Sequence, residues 1–258
     1  MRKSIVILTT LMLIIGMIVG SSGVLAKKSG EEIIKKVDET LTSKTRDSKI
    51  KMTIVNENGQ KRNRTIKIMS KGENKGLVEF VEPADVEGTA FLTVDKKGKE
   101  NMWLYLPAVG SVRKVASHMR NGSFMGTDFT YNDISMIGGS DYTDKYDSEL
   151  LGEEKVNGKK CYVLESTPTE DDIDYSKMKM WVRKNDYMPL KMEFYDQDKK
   201  LLKVMTNKNI TNIDGHITPK KITMKNQQKG TKTILNLEKI EFNIEIPQRV
   251  FTTRYMKR

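Results

Sequence analysis

The chain has 258 residues, with 45 Lys and Arg against 34 Asp and Glu, a formal charge of +11 and a single cysteine. One thiol excludes an internal disulfide framework, so stability has to come from packing. The basic residues are spread along the chain, as in Lys61-Arg62, Lys96-Lys97, Lys159-Lys160, Lys199-Lys200 and Lys220-Lys221. No aromatics are interleaved with them as base-stacking platforms, which argues against nucleic acid. Two readings remain: a solvated outer sheet face, or attraction to anionic lipid headgroups or an acidic partner.

Residues 1–26 read as a secretory signal peptide. Arg2 and Lys3 supply the positive start, Ile5 to Val19 is an almost unbroken apolar run, and Val24-Leu25-Ala26 is a small-residue cleavage pattern. A retained membrane anchor is the alternative, but the run has 15 residues where a comfortable span needs roughly 20. Cleavage leaves 232 residues with a charge of +9. No Pro/Ser/Gly-rich linker divides them, so 27–258 is expected to be a single β-rich domain. Cys161 lies far from Lys27, which leaves no thiol for lipid attachment. The mature protein is therefore expected in the periplasm, or in the extracytoplasmic space of a single-membrane host, soluble and not lipid-anchored.

Ser29 to about Arg46 reads as an amphipathic helix, opened by a capping box in which Ser29 and Glu32 satisfy free backbone N–H groups. Ile33, Ile34, Val37 and Leu41 fall on one face and must pack on something apolar. From Asp47 the periodicity changes to two, as in strands with one buried and one wet face. Met52 and Ile54 alternate with Lys51 and Thr53, Asn58-Gly59 supplies a hairpin turn, and Thr65 to Met69 returns. Further turn signals stand at Asn157-Gly158, Asn185-Asp186 and Asp214-Gly215, between alternating stretches such as Leu190-Met192-Phe194, Ile222-Met224 and Thr233-Leu235-Leu237. One long antiparallel sheet with a single apolar face follows, to be covered by helices or curled around a ligand. Pro107 to Ser140 breaks the pattern and reads as a loop or short-helix insertion of the kind that forms lids and binding loops.

Catalytic chemistry is sparse. His118 and His216 stand in unlike contexts with no metal-ligand spacing. Ser117 or Ser123 with His118 and Asp128 lacks a nucleophile-elbow motif. Glu170-Asp171-Asp172 with Asp174 lacks the glycine and terminal glutamate of a calcium loop. No glycine-rich phosphate cradle or dinucleotide fingerprint is present. No enzyme activity, metal or cofactor is expected. Methionine is more telling: 13 follow residue 26, several on apolar strand faces, and a flexible, polarizable side chain suits a surface that adapts to disordered acyl chains. Trp103 and Tyr105 share a strand face and are open to either a core or a pocket-wall role.

Three stretches carry a resemblance: Trp103-Leu104-Tyr105-Leu106-Pro107, Val112-Arg113-Lys114-Val115, and Gly122-Ser123-Phe124-Met125-Gly126-Thr127-Asp128-Phe129-Thr130-Tyr131. Together with Leu151-Gly152-Glu153, Gly158 to Tyr162, Trp181-Val182 and Phe251-Thr252-Thr253-Arg254, they resemble the outer-membrane lipoprotein-sorting-protein-like (LolA-like) exported proteins over nearly the whole chain after residue 26. Thr127 stands where that family often has serine, and Lys114 where it often has a second arginine. The resemblance implies a mainly β fold with a few helices: an incomplete antiparallel β-barrel, a curved sheet enclosing an apolar cavity closed by helices and loops. It also implies a non-enzymatic carrier of lipid or lipoprotein acyl chains, and in the better-known carriers a buried arginine takes part in lid closure. The cavity wall is assigned to Met52, Ile54, Ile66, Ile68, Phe80, Phe91, Trp103, Met180, Met192, Phe194, Ile222, Met224 and Leu235. Phe124, Asp128 and Phe129 are assigned to the lid, and Arg113, Lys114 and Arg120 to contact with headgroups or a partner. Expected partners are lipid or an acylated lipoprotein, an inner-membrane transporter or other envelope protein, and anionic membrane touched peripherally. The alternative is an envelope sensor or accessory module of a transporter that binds protein rather than moving lipid.

Overall fold

The computed structural model describes residues 28–258 apart from 97, 139–141 and 172. The expected signal peptide lies outside the described residues. Helix α1 (Gly30–Leu41) is followed by β1 (Thr45–Val55), β2 (Lys61–Lys71), β3 (Lys75–Glu82), β4 (Ala90–Lys96), β5 (Lys99–Leu106) and β6 (Ser111–Lys114). After helix α2 (Tyr131–Gly138) come β7 (Tyr146–Val156), β8 (Lys159–Pro168), β9 (Lys177–Arg183), β10 (Pro189–Tyr195), β11 (Leu201–Ile213), β12 (His216–Asn226) and β13 (Lys232–Phe242). The chain ends in 3₁₀ turns at Gln248–Phe251 and Tyr255–Lys257.

All thirteen strands form one antiparallel sheet in the order β6-β5-β4-β3-β2-β1-β13-β12-β11-β10-β9-β8-β7. It is thus two meanders, β1–β6 and β7–β13, joined where the first strand pairs with the last. The sheet curves without closing into a barrel, and β6 and β7 are its free edges. The period-two alternation is kept: Ile50, Met52 and Ile54 of β1 are buried while Lys49 and Lys51 are exposed.

The capping box forms as expected: Glu32 N–H donates to Ser29 Oγ at 3.0 Å, and Ser29 N–H donates to Glu32 Oε2 at 3.1 Å. The helix stops at Leu41, five residues short of the expected end. Thr42 is already extended, and Thr45 enters the sheet opposite Lys71. Sheet pairing overrides the local helical pattern here, because it satisfies backbone groups along the whole strand.

β4 is buried on both faces. Phe91 points into the concave interior, whereas Ala90, Leu92 and Val94 are covered from outside by Ile246, Val250, Phe251 and Met256 of the C-terminal segment. Trp103 and Tyr105 do share a face, but it is this outer one. Trp103 is therefore no part of the interior wall: in β5 that wall is made by Met102 and Leu104. The one-residue parity that separates Met102 from Trp103 decides the face.

α1 lies against edge strand β7 at very short range. A Cβ placed on Gly30 would sit 2.1 Å from the Ser148 carbonyl oxygen and 2.7 Å from Glu149 Cα. Both obstacles are backbone, so a side chain there forces the helix off the strand. Gly30→Ala is expected to destabilise by about 1–3 kcal/mol, lowering Tm by several degrees. Glu31→Ala, at an exposed neighbouring position, should leave Tm within a degree or two; equal effects in a thermal scan would refute the close-approach explanation.

Candidate functional site: the lidded interior of the curved sheet

Every residue assigned to the cavity wall except Trp103 faces one apolar interior, most of them fully buried and Ile222 partly so. On its β9–β12 side the wall carries a row of methionines. Met180 stands opposite Met192, Met192 opposite Met205, and Met205 opposite Met224. Directly opposed residues share a face, and three inter-strand spacings make the row about 14 Å long. Met205 was not picked out in the sequence; its place follows only from the register with its neighbours.

The interior is covered by the segment that carries the chain from edge β6 to edge β7. Phe124 and Phe129, within this segment, are fully buried. The Phe124 ring lies 5.8 Å from that of Phe80, 5.3 Å from Phe91 and 5.3 Å, edge-on, from Tyr131. Ile134 of α2 and Ile33, Ile34 and Val37 of α1 join the same cluster. What the lid puts inside is therefore apolar.

What holds the lid is polar. Asp128 accepts from the Thr231 hydroxyl on one carboxylate oxygen and from the Thr233 hydroxyl at 2.7 Å on the other, while its N–H donates to Thr233 Oγ1 at 2.9 Å. Both oxygens are thus engaged, and among the described residues no histidine is bonded to Asp128. Arg64 donates to the Met125 carbonyl at 2.6 Å, and Arg46 donates to the Ile137 carbonyl, near the end of α2, at 2.5 Å. A cation at a helix C-terminus is favoured by the helix dipole. The Arg46 Nε is fully enclosed and finds no partner among the described residues. Burial brings this guanidinium down to about 10, still charged at neutral pH.

Two ion pairs, each with both side chains more than nine-tenths buried, complete the closure. Lys145, just before β7, meets Glu100 of β5 at 2.7 Å and so joins the two sides of the gap; Ser135 of α2 donates to the same carboxylate. Lys203 of β11 lies 3.6 Å from Asp133 of α2, with Tyr175 donating to that carboxylate at 3.0 Å. At the other end of the crossing, Asp38 of α1 accepts the N–H groups of Tyr142 and Thr143 at 2.9 and 2.8 Å. Burial nonetheless pushes the Asp38 carboxyl up. Of the residues assigned to surface contact, Arg113 and Lys114 are exposed on edge strand β6. Arg120 turns inward instead and donates to the Glu100 carbonyl at 2.8 Å, serving the lid rather than the surface.

Two small apolar pockets of about 70 and 90 Å³, both touching Arg46, Ile137, Pro219 and Ile222 and both partly open to the surface, indent the same interior. A larger cavity of about 400 Å³ opens at the mouth, beside the lid turn Gly126–Thr130. Among the described residues no group of three or more His, Cys, Asp or Glu side chains could hold a metal ion, and no helix is long and apolar enough to cross a membrane.

The arrangement defines a class, a curved antiparallel sheet with an apolar, lidded interior, and the comparisons give it a family. A family model whose description reads "-like: Uncharacterized protein" matches residues 72–258. A Vibrio parahaemolyticus domain named as an outer membrane lipoprotein-sorting protein is 34% identical, covering 89% of this chain and 98% of its own, with a TM-score of 0.81. A DUF1329 family protein from Desulfovibrio piger is 30% identical over 88% of this chain and 97% of its own, at a TM-score of 0.82. A LolA superfamily protein from Nitrosomonas europaea, 23% identical over 89% of this chain and all of its own, shares the fold at a TM-score of 0.74. No curated protein matches the chain. The chain belongs to the outer-membrane lipoprotein-sorting-protein-like, or LolA-like, family.

If the polar clasps hold the lid as a unit, Asp128→Ala should weaken its closure by about 1.5–3 kcal/mol, the worth of hydrogen bonds to a charged group. Hydrogen exchange at the Phe124, Phe129 and Thr130 amides is then expected to speed up about 10- to 100-fold, with the Met180 and Met192 amides unchanged. A uniform rise across the sheet would instead mean that the lid has no opening of its own.

Proposed function

We propose that the protein is an extracytoplasmic carrier that takes lipid or lipoprotein acyl chains into the concave interior when the lid lifts. The LolA-like fold suggests a carrier of the lipoprotein-sorting or lipid-binding type. The observation that supports the finer reading is the division of labour in the lid: apolar side chains fill the interior, and polar clasps at its rim keep them there. Burying a dozen methylenes of a guest yields about 10 kcal/mol. The lid side chains they would displace, Phe124, Phe129 and Ile134, are each worth about 1.5–3 kcal/mol. Guest and lid are thus close enough in free energy for a membrane or acceptor to tip the exchange either way. The methionine row supplies a wall that can repack around chains of different shape. The side chains make binding surfaces and clasps, and no reaction is assigned to them.

Native mass spectrometry of protein purified from its own envelope is expected to show stoichiometric lipid. Met192→Glu combined with Phe194→Glu should abolish that lipid in a variant that is still exported and folded by circular dichroism. A wild-type protein that is empty and crosslinks to a membrane protein would replace the carrier reading with that of a sensor or accessory module.

A further inference from the structure

We propose that the 400 Å³ mouth cavity is a subsite for the phosphate-bearing head of an amphiphile, with Arg62 and Lys229 as its anion-binding groups; this rests on the carrier reading. The strand register places a polar tier directly beyond the apolar one. Ile54, in the interior cluster, stands opposite Arg62 on β2 and Thr233 on β13, so the Arg62 side chain shares the concave face. Asn226 on β12 and Lys203 on β11 are paired in the same way on the far side of the mouth. Ile54 and Phe129 belong both to the cavity lining and to the interior cluster, so the polar space is continuous with the apolar one.

The charges at the mouth are unequally spent. Lys203 is neutralised by Asp133 and bonds the Tyr175 hydroxyl at 3.0 Å. Asp128 is saturated by Thr231 and Thr233. Arg62 and Lys229 are exposed and line the cavity, and their side chains have no ion pair or hydrogen bond among the described residues. The carboxylates in the lining are Asp128 and the exposed Asp174. With both Asp128 oxygens occupied by threonine hydroxyls, Arg62 and Lys229 are the cations left unpartnered where the head of a bound amphiphile would emerge. A guanidinium fork matches phosphate oxygens bidentately. The lid turn passes beside it: Gly126, at φ +73°, lies where a Cβ would be 3.8 Å from Arg62 Nη2, an ordinary contact distance. Lid and head would then meet at the same rim, so the head group senses whether the lid is shut.

The test titrates the chain with lysophosphatidylglycerol, with the monoacylglycerol of the same acyl chain, and with glycerol phosphate alone, by calorimetry. Lysophosphatidylglycerol is expected to bind at least tenfold more tightly than the monoacylglycerol. Arg62→Ala with Lys229→Ala should bring the two to parity while leaving the monoacylglycerol unchanged, and Arg62→Lys should retain part of the preference. Glycerol phosphate is expected to bind weakly. Equal binding of the two lipids to the wild type, or a preference that survives in the double variant, overturns the subsite and leaves the carrier standing. Glycerol phosphate binding as tightly as the lysolipid overturns the assignment to a lipid head in favour of a free phosphate ester. Binding of neither lipid, with glycerol phosphate also silent, overturns both readings.

Discussion

The pairing of the first strand with the last governs the rest of the molecule. Because β1 and β13 meet in the middle of the sheet, the two meanders grow outward from that seam, and the free edges belong to β6 and β7, the strands at the centre of the chain. The chain must therefore travel from one edge of the curved sheet to the other. The direct way is across the open concave side. The segment between β6 and β7 is thus a cover by topology, before any of its residues are considered, and its composition then decides whether it seals the interior permanently or reversibly.

Its contacts are of two kinds. The aromatic contacts of Phe124 and Phe129 are non-directional and can be exchanged for any apolar surface of similar area. The clasps are directional: Arg46 and Arg64 give their guanidinium groups to lid carbonyls, and Asp128 takes hydroxyl protons from β13. A buried ion pair such as Lys145–Glu100 adds little net stability, because desolvation offsets its attraction, yet breaking it costs about 3–5 kcal/mol. Pairs of this kind fix where the lid sits more than how tightly the sheet folds.

The strand alternation, the capping box and the apolar identity of the wall were legible in the sequence, since each rests on local spacing that burial enforces. That the segment around Phe124 and Phe129 leaves the strand pattern was legible from the break in periodicity there. Trp103 was misplaced because both faces of β5 are covered, one by the lid and one by the C-terminal segment, so hydrophobicity alone does not say which face is inside. Arg46, Arg64 and Glu100, in alternating strands, and Lys145, just before β7, were missed because a charged residue looks the same in sequence whether it faces solvent or a distant buried partner. Only the partner, far away in the chain, distinguishes the two, as it does for Arg120.

The seam also sets an order of events as the chain leaves the ribosome or a translocation channel. Hairpins β1–β2 through β5–β6 can zip locally, and so can those from β7 onward, but β1 stays an open edge until β13 exists. The outer face of β4 likewise stays bare until Phe251 and Met256 arrive. The native sheet is completed only when β13 pairs with β1, and removal of residues 244–258 would expose one of its three apolar clusters.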